Sequence, residues 1–109
     1  MRDLESRGVR YKYEEYRVKY YGRIRTYIPD LQLPNGIFVE VKGWFTSADR
    51  TKHLCVQEQH PELDIRFVFG RASNLINKRS KTTYAMWCES HGFKWYEGRV
   101  PEGWINERH

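Results

Sequence analysis

The stretch YIPDLQLPNGIFVEVKG, residues 27–43, sets two short apolar runs on either side of a Pro-Asn-Gly triplet. A three-residue hairpin loop, built from a type I turn and one left-handed residue, favours Pro at its first position and Gly at its third. Pro34-Asn35-Gly36 meets both requirements. That loop pairs Leu33 with Ile37, Gln32 with Phe38, Leu31 with Val39, Asp30 with Glu40 and Ile28 with Lys42. Because strand side chains alternate, one face then carries Asp30, Glu40 and Lys42. The other carries Pro29, Leu31, Leu33, Ile37, Val39 and Val41 and suits packing under a helix. A two-residue Asn-Gly loop would slip the register by one and send the two carboxylates to opposite faces, so the turn decides the reading.

Outward from the hairpin, Thr46 and Asp49 form a capping-box pattern, and SADRTKHLCVQEQH reads as a helix stopped by Pro61. DIRFVF, residues 64–69, is short and rich in β-formers, as a strand returning from a helical crossover should be. A last helix is expected over about Thr82 to His91, closed by Gly92. In it Tyr84, Trp87, Cys88 and His91 share one buried face. On the N-terminal side, MRDLESRG has the composition of a helix end with Gly8 at C′. VRYKYEEYRVKYY, from Val9 to Tyr21, alternates as one long or two short strands with a slip at Glu14-Glu15, and RIRTYI is expected to extend the hairpin's sheet. The expected fold is α/β, a mixed sheet with flanking helices.

A chain of 109 residues suits one domain, spanning 1–109. Nineteen Lys and Arg against 14 Asp and Glu give a net charge of +5 and a pI near 9.3, which favours a polyanionic partner, nucleic acid first. The absence of an apolar run of about 18 residues, and of a signal-like start, argues against a membrane or secreted protein. Cys55 and Cys88 fit neither a zinc site nor a disulfide framework and read as reduced thiols in a cytoplasmic protein.

Like charges directly opposite on a sheet destabilise it, so Asp30 and Glu40 call for protonation, a salt bridge or a cation. Mg²⁺ binds a few carboxylate oxygens and completes its octahedron with waters and substrate phosphate. Lys42, on the same face, could orient or deprotonate the attacking water, or stabilise transition-state charge. The plainer alternative is a solvated face on which Lys42 neutralises two acids.

The Pro-Asp and Glu-x-Lys pattern resembles that of the PD-(D/E)xK nucleases. The longer string, with ADRTKHL, EQHPELDIRFVF, WCESHGFKW and VPEGWI, resembles the bacteriophage endonuclease I family of Holliday-junction resolving enzymes from about Leu4 to Ile105. The resemblance implies a restriction-endonuclease-like core and a Mg²⁺- or Mn²⁺-dependent endonuclease acting on four-way or branched DNA. It further implies a homodimer. It makes Asp30 and Glu40 metal ligands with the Val41 carbonyl as a third, and Lys42 the catalytic lysine. The family carries another catalytic glutamate on an N-terminal helix. The chain is expected to begin beyond it, as a shortened relative or as one lacking its first segment, with Glu5 about two turns too late to replace it.

Arg50, Lys52 and His53, on the helix after the catalytic strand, are candidate phosphate contacts. Arg10, Lys12, Arg17, Lys19, Arg23 and Arg25 could line a surface that tracks the DNA backbone. His60 reads as a helix-end residue, His91 as core, and Trp44, Trp87, Trp95 and Trp104 as packing anchors, since no run of aromatics alternates with basic residues. Two alternatives stand beside the resolving enzyme: a duplex nickase of homing or repair type, and a non-catalytic DNA-binding module.

Overall fold

The computed structural model describes residues 18–20 and 25–108. The hairpin turns as its residue types require. The Gly36 N–H donates to the Leu33 carbonyl at 2.9 Å, the Leu33 N–H to the Ile37 carbonyl at 2.8 Å, and Gly36 adopts φ +92°, a conformation that a Cβ would strain. Strand β3 (Leu31–Gln32) therefore pairs antiparallel with β4 (Phe38–Lys42), Leu31 against Val39 and Gln32 against Phe38.

Helix α1 (Ser47–Gln59) follows, opened by the Thr46–Asp49 capping box and ended at His60, before Pro61. The chain then returns as β5 (Ile65–Phe69), parallel to β4. A long connection leads to α2 (Tyr84–Ser90), whose N-cap is the Thr83 hydroxyl and whose exit passes through Gly92 at φ +78°. Strand β6 (Trp95–Glu97) adds parallel to β5, and the one-turn helix α3 (Glu102–Ile105) closes the described chain. The sheet runs β3-β4-β5-β6, a mixed α/β arrangement with flanking helices.

Strand β5 lies inside the sheet and is buried along its whole length. Ile65, Phe67 and Phe69 point to one side, where α1 and α2 deliver Val56, Tyr84, Trp87 and Cys88 to a core completed by Tyr27, Phe38, Phe45 and Phe93. Phe45 and Phe67 sit at 5.1 Å, and Phe67 and Phe93 meet edge to face at 5.2 Å, the separations that favour aromatic pairs. On the other side Val68 joins Leu31, Leu33, Ile37, Val39 and Val100 beneath Trp104 and Ile105. Arg66 is buried there too. Its guanidinium donates to both Asp64 oxygens at 2.8 and 2.7 Å, reaches Glu107 as well, and lies 5.3 Å from the Trp104 ring. The turn is tied to the same layer, since the Asn35 amide donates to the Trp104 and Glu107 carbonyls at 2.7 and 2.8 Å.

Several expectations change. Strands β1 (Val18–Tyr20) and β2 (Arg25–Tyr27) pair antiparallel as a separate two-stranded sheet and do not extend the larger one. The expected N-terminal helix, the greater part of the Val9–Tyr21 strand, and Glu5, Arg10, Lys12, Arg17 and Arg23 lie outside the described residues. Val41 is exposed, because apolar cover on its face ends at Val39. His91 is also exposed, lying over Trp87 at 4.6 Å just where the helix ends and the backbone turns away from the core. Trp44, expected as a packing anchor, is 83% exposed, because Phe45 takes the core position beside it. Cys55 and Cys88 are free. No described helix is long and apolar enough to cross a membrane.

Candidate active site

The end of β4 collects the acidic pair. Asp30 lies just before β3, and its Oδ2 accepts the Val41 N–H at 2.8 Å, so the aspartate is anchored to the strand that carries Glu40 and Lys42. The register then brings Asp30 beside Glu40. Glu40 points to the principal core face and is only 2% exposed, with Tyr27 above it donating its hydroxyl to Oε1. Burial, then the charge of Asp30 and a hydrogen bond between the two carboxyls, push Glu40 up to about 8, against the opposing pull of the Tyr27 hydroxyl and Lys42. Burial and the neighbouring Glu40 likewise raise the Tyr27 phenol. The face that carries Asp30, Glu40 and Lys42 is thus the rim of the aromatic core, since Phe38 and Glu40 share it.

Lys42 sits two residues further along, its Nζ 3.4 Å from Asp49 Oδ1. Asp49 occupies position N3 of α1, its Oδ2 accepting the Thr46 N–H at 3.2 Å while its own N–H donates to the Thr46 hydroxyl at 3.1 Å. Burial alone would raise this carboxyl, but the Lys42 charge and the Thr46 bonds outweigh it and hold Asp49 below its ordinary value. One capping box therefore opens the helix and steadies the lysine.

The helix residues expected to touch phosphate divide. Lys52 is half-buried. Arg50 has its Nη1 donating to the Phe45 carbonyl at 2.7 Å and the Ile76 carbonyl at 3.4 Å, so it clasps two loops. His53 lies deeper. It is fully buried, edge-on to Tyr27 at 5.4 Å and to Phe67 at 4.8 Å. Burial, then the charges of Lys52 and Lys42, push it down to about 3. Lys19 stands in β1 and Arg25 in β2.

Sequence reading missed Tyr27 and the second role of Asp49. Asp49 was visible as a capping residue, but its contact with Lys42 depends on how α1 leaves β4. Tyr27 was visible only as a β-former, and its contact with Glu40 depends on where β2 ends against the larger sheet.

Two carboxylates and a backbone carbonyl on one strand pair can supply part of an oxygen shell for a hard divalent cation. Among the described residues no group of three or more His, Cys, Asp or Glu side chains converges, so waters and a substrate phosphate would complete that shell. Such hard oxygen donors fit Mg²⁺ or Mn²⁺.

What the fold and site define is a mixed α/β domain with an acidic pair and a lysine at the end of one strand. The chain belongs to the phage endonuclease I family, whose model matches residues 1–109. It is 49% identical to Endonuclease I of Escherichia phage T7 over 108 residues, covering 97% of this chain and 72% of that protein. It is 44% identical to Endodeoxyribonuclease 1 of Enterobacteria phage T3 over 108 residues, covering 97% of this chain and 71% of that protein.

Proposed function

We propose that residues 1–109 act as one nuclease domain, a Mg²⁺- or Mn²⁺-dependent DNA endonuclease that hydrolyses phosphodiesters at branched DNA, four-way junctions above all. The observation that carries the reading is the convergence of Asp30 and Glu40 at the end of β4 with Lys42 beside them. The names of the relatives and the charge of +5 support a DNA substrate.

Asp30 and Glu40, with the Val41 carbonyl, would hold the cation. Bound there, it would act as a Lewis acid on a phosphoryl oxygen and lower the pKa of a water. Burial first and the charge of Asp30 second raise Glu40, and a bound cation would offset both. Tyr27 orients Glu40 by fixing Oε1, which leaves the other oxygen to face the cation. Asp49 restrains Lys42 from the helix side, so the ammonium can hydrogen-bond a non-bridging oxygen of the scissile phosphate and stabilise charge as it develops there. Preorganisation of this kind costs little at the moment of reaction, because the capping box has already fixed the lysine's partner.

The test is cleavage of an end-labelled four-way junction and of a duplex with the same arms, in EDTA and then in Mg²⁺ or Mn²⁺. Metal-dependent cuts near the branch, lost in Asp30→Asn, Glu40→Gln and Lys42→Ala while junction binding persists, are the expected result. Equal nicking of the duplex would move the assignment to a duplex nickase. Binding without cleavage in either metal would leave only a DNA-binding module. Sedimentation of the same preparation tests the homodimer that the resemblance implies.

A further inference from the structure

Just beyond Lys42 the chain places a tryptophan in an unusual position for so large an apolar side chain. Trp44 is 83% exposed and Leu75 47% exposed, yet both line one cavity of about 460 Å³ together with Phe45, Ile76, Lys78 and Tyr84. The cavity is built and braced. Phe45 meets Tyr84 edge to face at 5.6 Å, and its N–H donates to the Tyr84 hydroxyl at 3.3 Å. Arg50 clasps the carbonyls of two lining residues, Phe45 and Ile76, at 2.7 and 3.4 Å. The far wall is stiffened by a bridge between Leu75 and Thr83 and by the Ile76 N–H donating to the Thr82 carbonyl at 2.9 Å. The Gly70 N–H donates to the Lys42 carbonyl at 3.1 Å, so the connection forming this wall leaves β5 beside the end of β4.

Charge indicates what would enter. The connection from Gly70 to Thr83 carries Arg71, Lys78, Arg79 and Lys81 and no acidic residue, and all four are exposed. An apolar slot with aromatic lining, with Lys78 among its lining residues and further cations along the same connection, matches a nucleobase with its attached phosphate. Stacking on an aromatic face is strong and tolerant of base identity, since every base presents a π-face. Such a base is available where duplex stacking is interrupted, as at a branch point, and taking it out of a perfect duplex costs unstacking energy.

We propose that Trp44 and the cavity beside it bind an unstacked nucleobase next to the scissile phosphate, with Lys78 and its basic neighbours on the backbone. This rests on the assignment of the chain as a DNA endonuclease and deepens it, because a site for an unstacked base favours branched over continuous DNA. Trp44 follows β4 by two residues, so the occupied slot would also set which phosphate meets the carboxylates.

The experiment compares the full chain with Trp44→Ala and Trp44→Phe. Binding is measured in EDTA on a four-way junction with 2-aminopurine beside the branch, and on a duplex with the same label. Cleavage is measured in Mg²⁺. Trp44→Ala should lower the junction-over-duplex affinity ratio by about 5- to 150-fold, the range that aromatic stacking on a base provides, and should raise KM more than it lowers kcat. Trp44→Phe should recover most of the loss. The 2-aminopurine emission should change on binding to the wild type and not to Trp44→Ala. Unchanged preference and emission in Trp44→Ala would overturn the assignment of the pocket. So would a variant altered only in self-association, which would make the patch a contact between copies. A wild type that binds the junction but cuts no DNA in either Mg²⁺ or Mn²⁺ would sink the nuclease reading alone, since preference and emission would still report on the pocket.

Discussion

Replacing Glu40 with Gln should make the metal-free protein more stable above neutral pH, although it removes a residue at the centre of the proposed chemistry. In the fold the Glu40 carboxyl is pushed from its ordinary 4.5 up to about 8 by burial and by Asp30. Below pH 4.5 the group is protonated in both folded and unfolded chains and contributes no slope. Between about 4.5 and 8 the unfolded chain has released this proton while the folded chain keeps it, so stability must fall as pH rises. At 1.36 kcal/mol per pH unit the accumulated loss is on the order of 4 kcal/mol, a sizeable part of the 5–15 kcal/mol that typically holds a domain together. Glutamine has nearly the same shape and can still accept the Tyr27 hydroxyl, but it carries no proton to release. Urea denaturation in EDTA at pH 5 and pH 8.5 provides the measurement. The wild-type midpoint should drop by about 2 M between the two, given slopes near 2 kcal/mol/M, in excess of any change in Glu40→Gln. Millimolar Mg²⁺ at pH 8.5 should restore the wild type and leave the variant unmoved, because a ligand stabilises only the state that binds it. Parallel pH profiles for the two proteins would refute the idea that Asp30 and burial load Glu40 in this way.

Tyr27→Phe should weaken Mn²⁺ binding by about 10- to 100-fold in calorimetric titrations while the fold persists, since it removes the hydroxyl that donates to Glu40 Oε1. Asp49→Asn keeps acceptors for Thr46 but releases Lys42, and should lower kcat by a similar factor with little change in KM or in thermal midpoint. Phe67→Ala, at the crossing of four aromatic contacts, should cost about 3–5 kcal/mol in denaturant titration, and a cost below 1 would mean the core is not organised around it. DNA affinity should fall with salt at a log–log slope of about −0.9 per phosphate neutralised, and Lys78→Ala and Arg79→Ala should each reduce that slope by about one. Lys52→Ala tests a helix candidate in the same assay.

Local rules were enough wherever neighbouring residues decide the geometry. Pro34-Asn35-Gly36 can close its turn in one favoured way, and that turn brings Asp30 to Glu40. Thr46 and Asp49 cap a helix whatever surrounds them, and the short run of β-formers in IRFVF marks a strand. The overlap with the phage endonuclease I family was legible for the same reason, since it resides in short strings whose residue types are tied to local structure. What periodicity could not supply was the partner of each face. A carboxylate on a strand looks equally solvent-facing whether it meets water or the hydroxyl of Tyr27, which is thirteen residues away along the chain. Arg50, Lys52 and His53 look alike as a basic helix run, yet the direction of each side chain relative to the sheet makes the first a brace, leaves the second at the margin and buries the third. Trp44 and Phe45 are adjacent aromatics of similar burial preference, and the one-residue difference in where each points assigns Phe45 to the core and Trp44 to the surface. Those outcomes depend on how α1 and the 70–83 connection pack against β4. Only tertiary structure decides that, because long-range packing is settled by which apolar surfaces are left to cover each other after the local elements have formed.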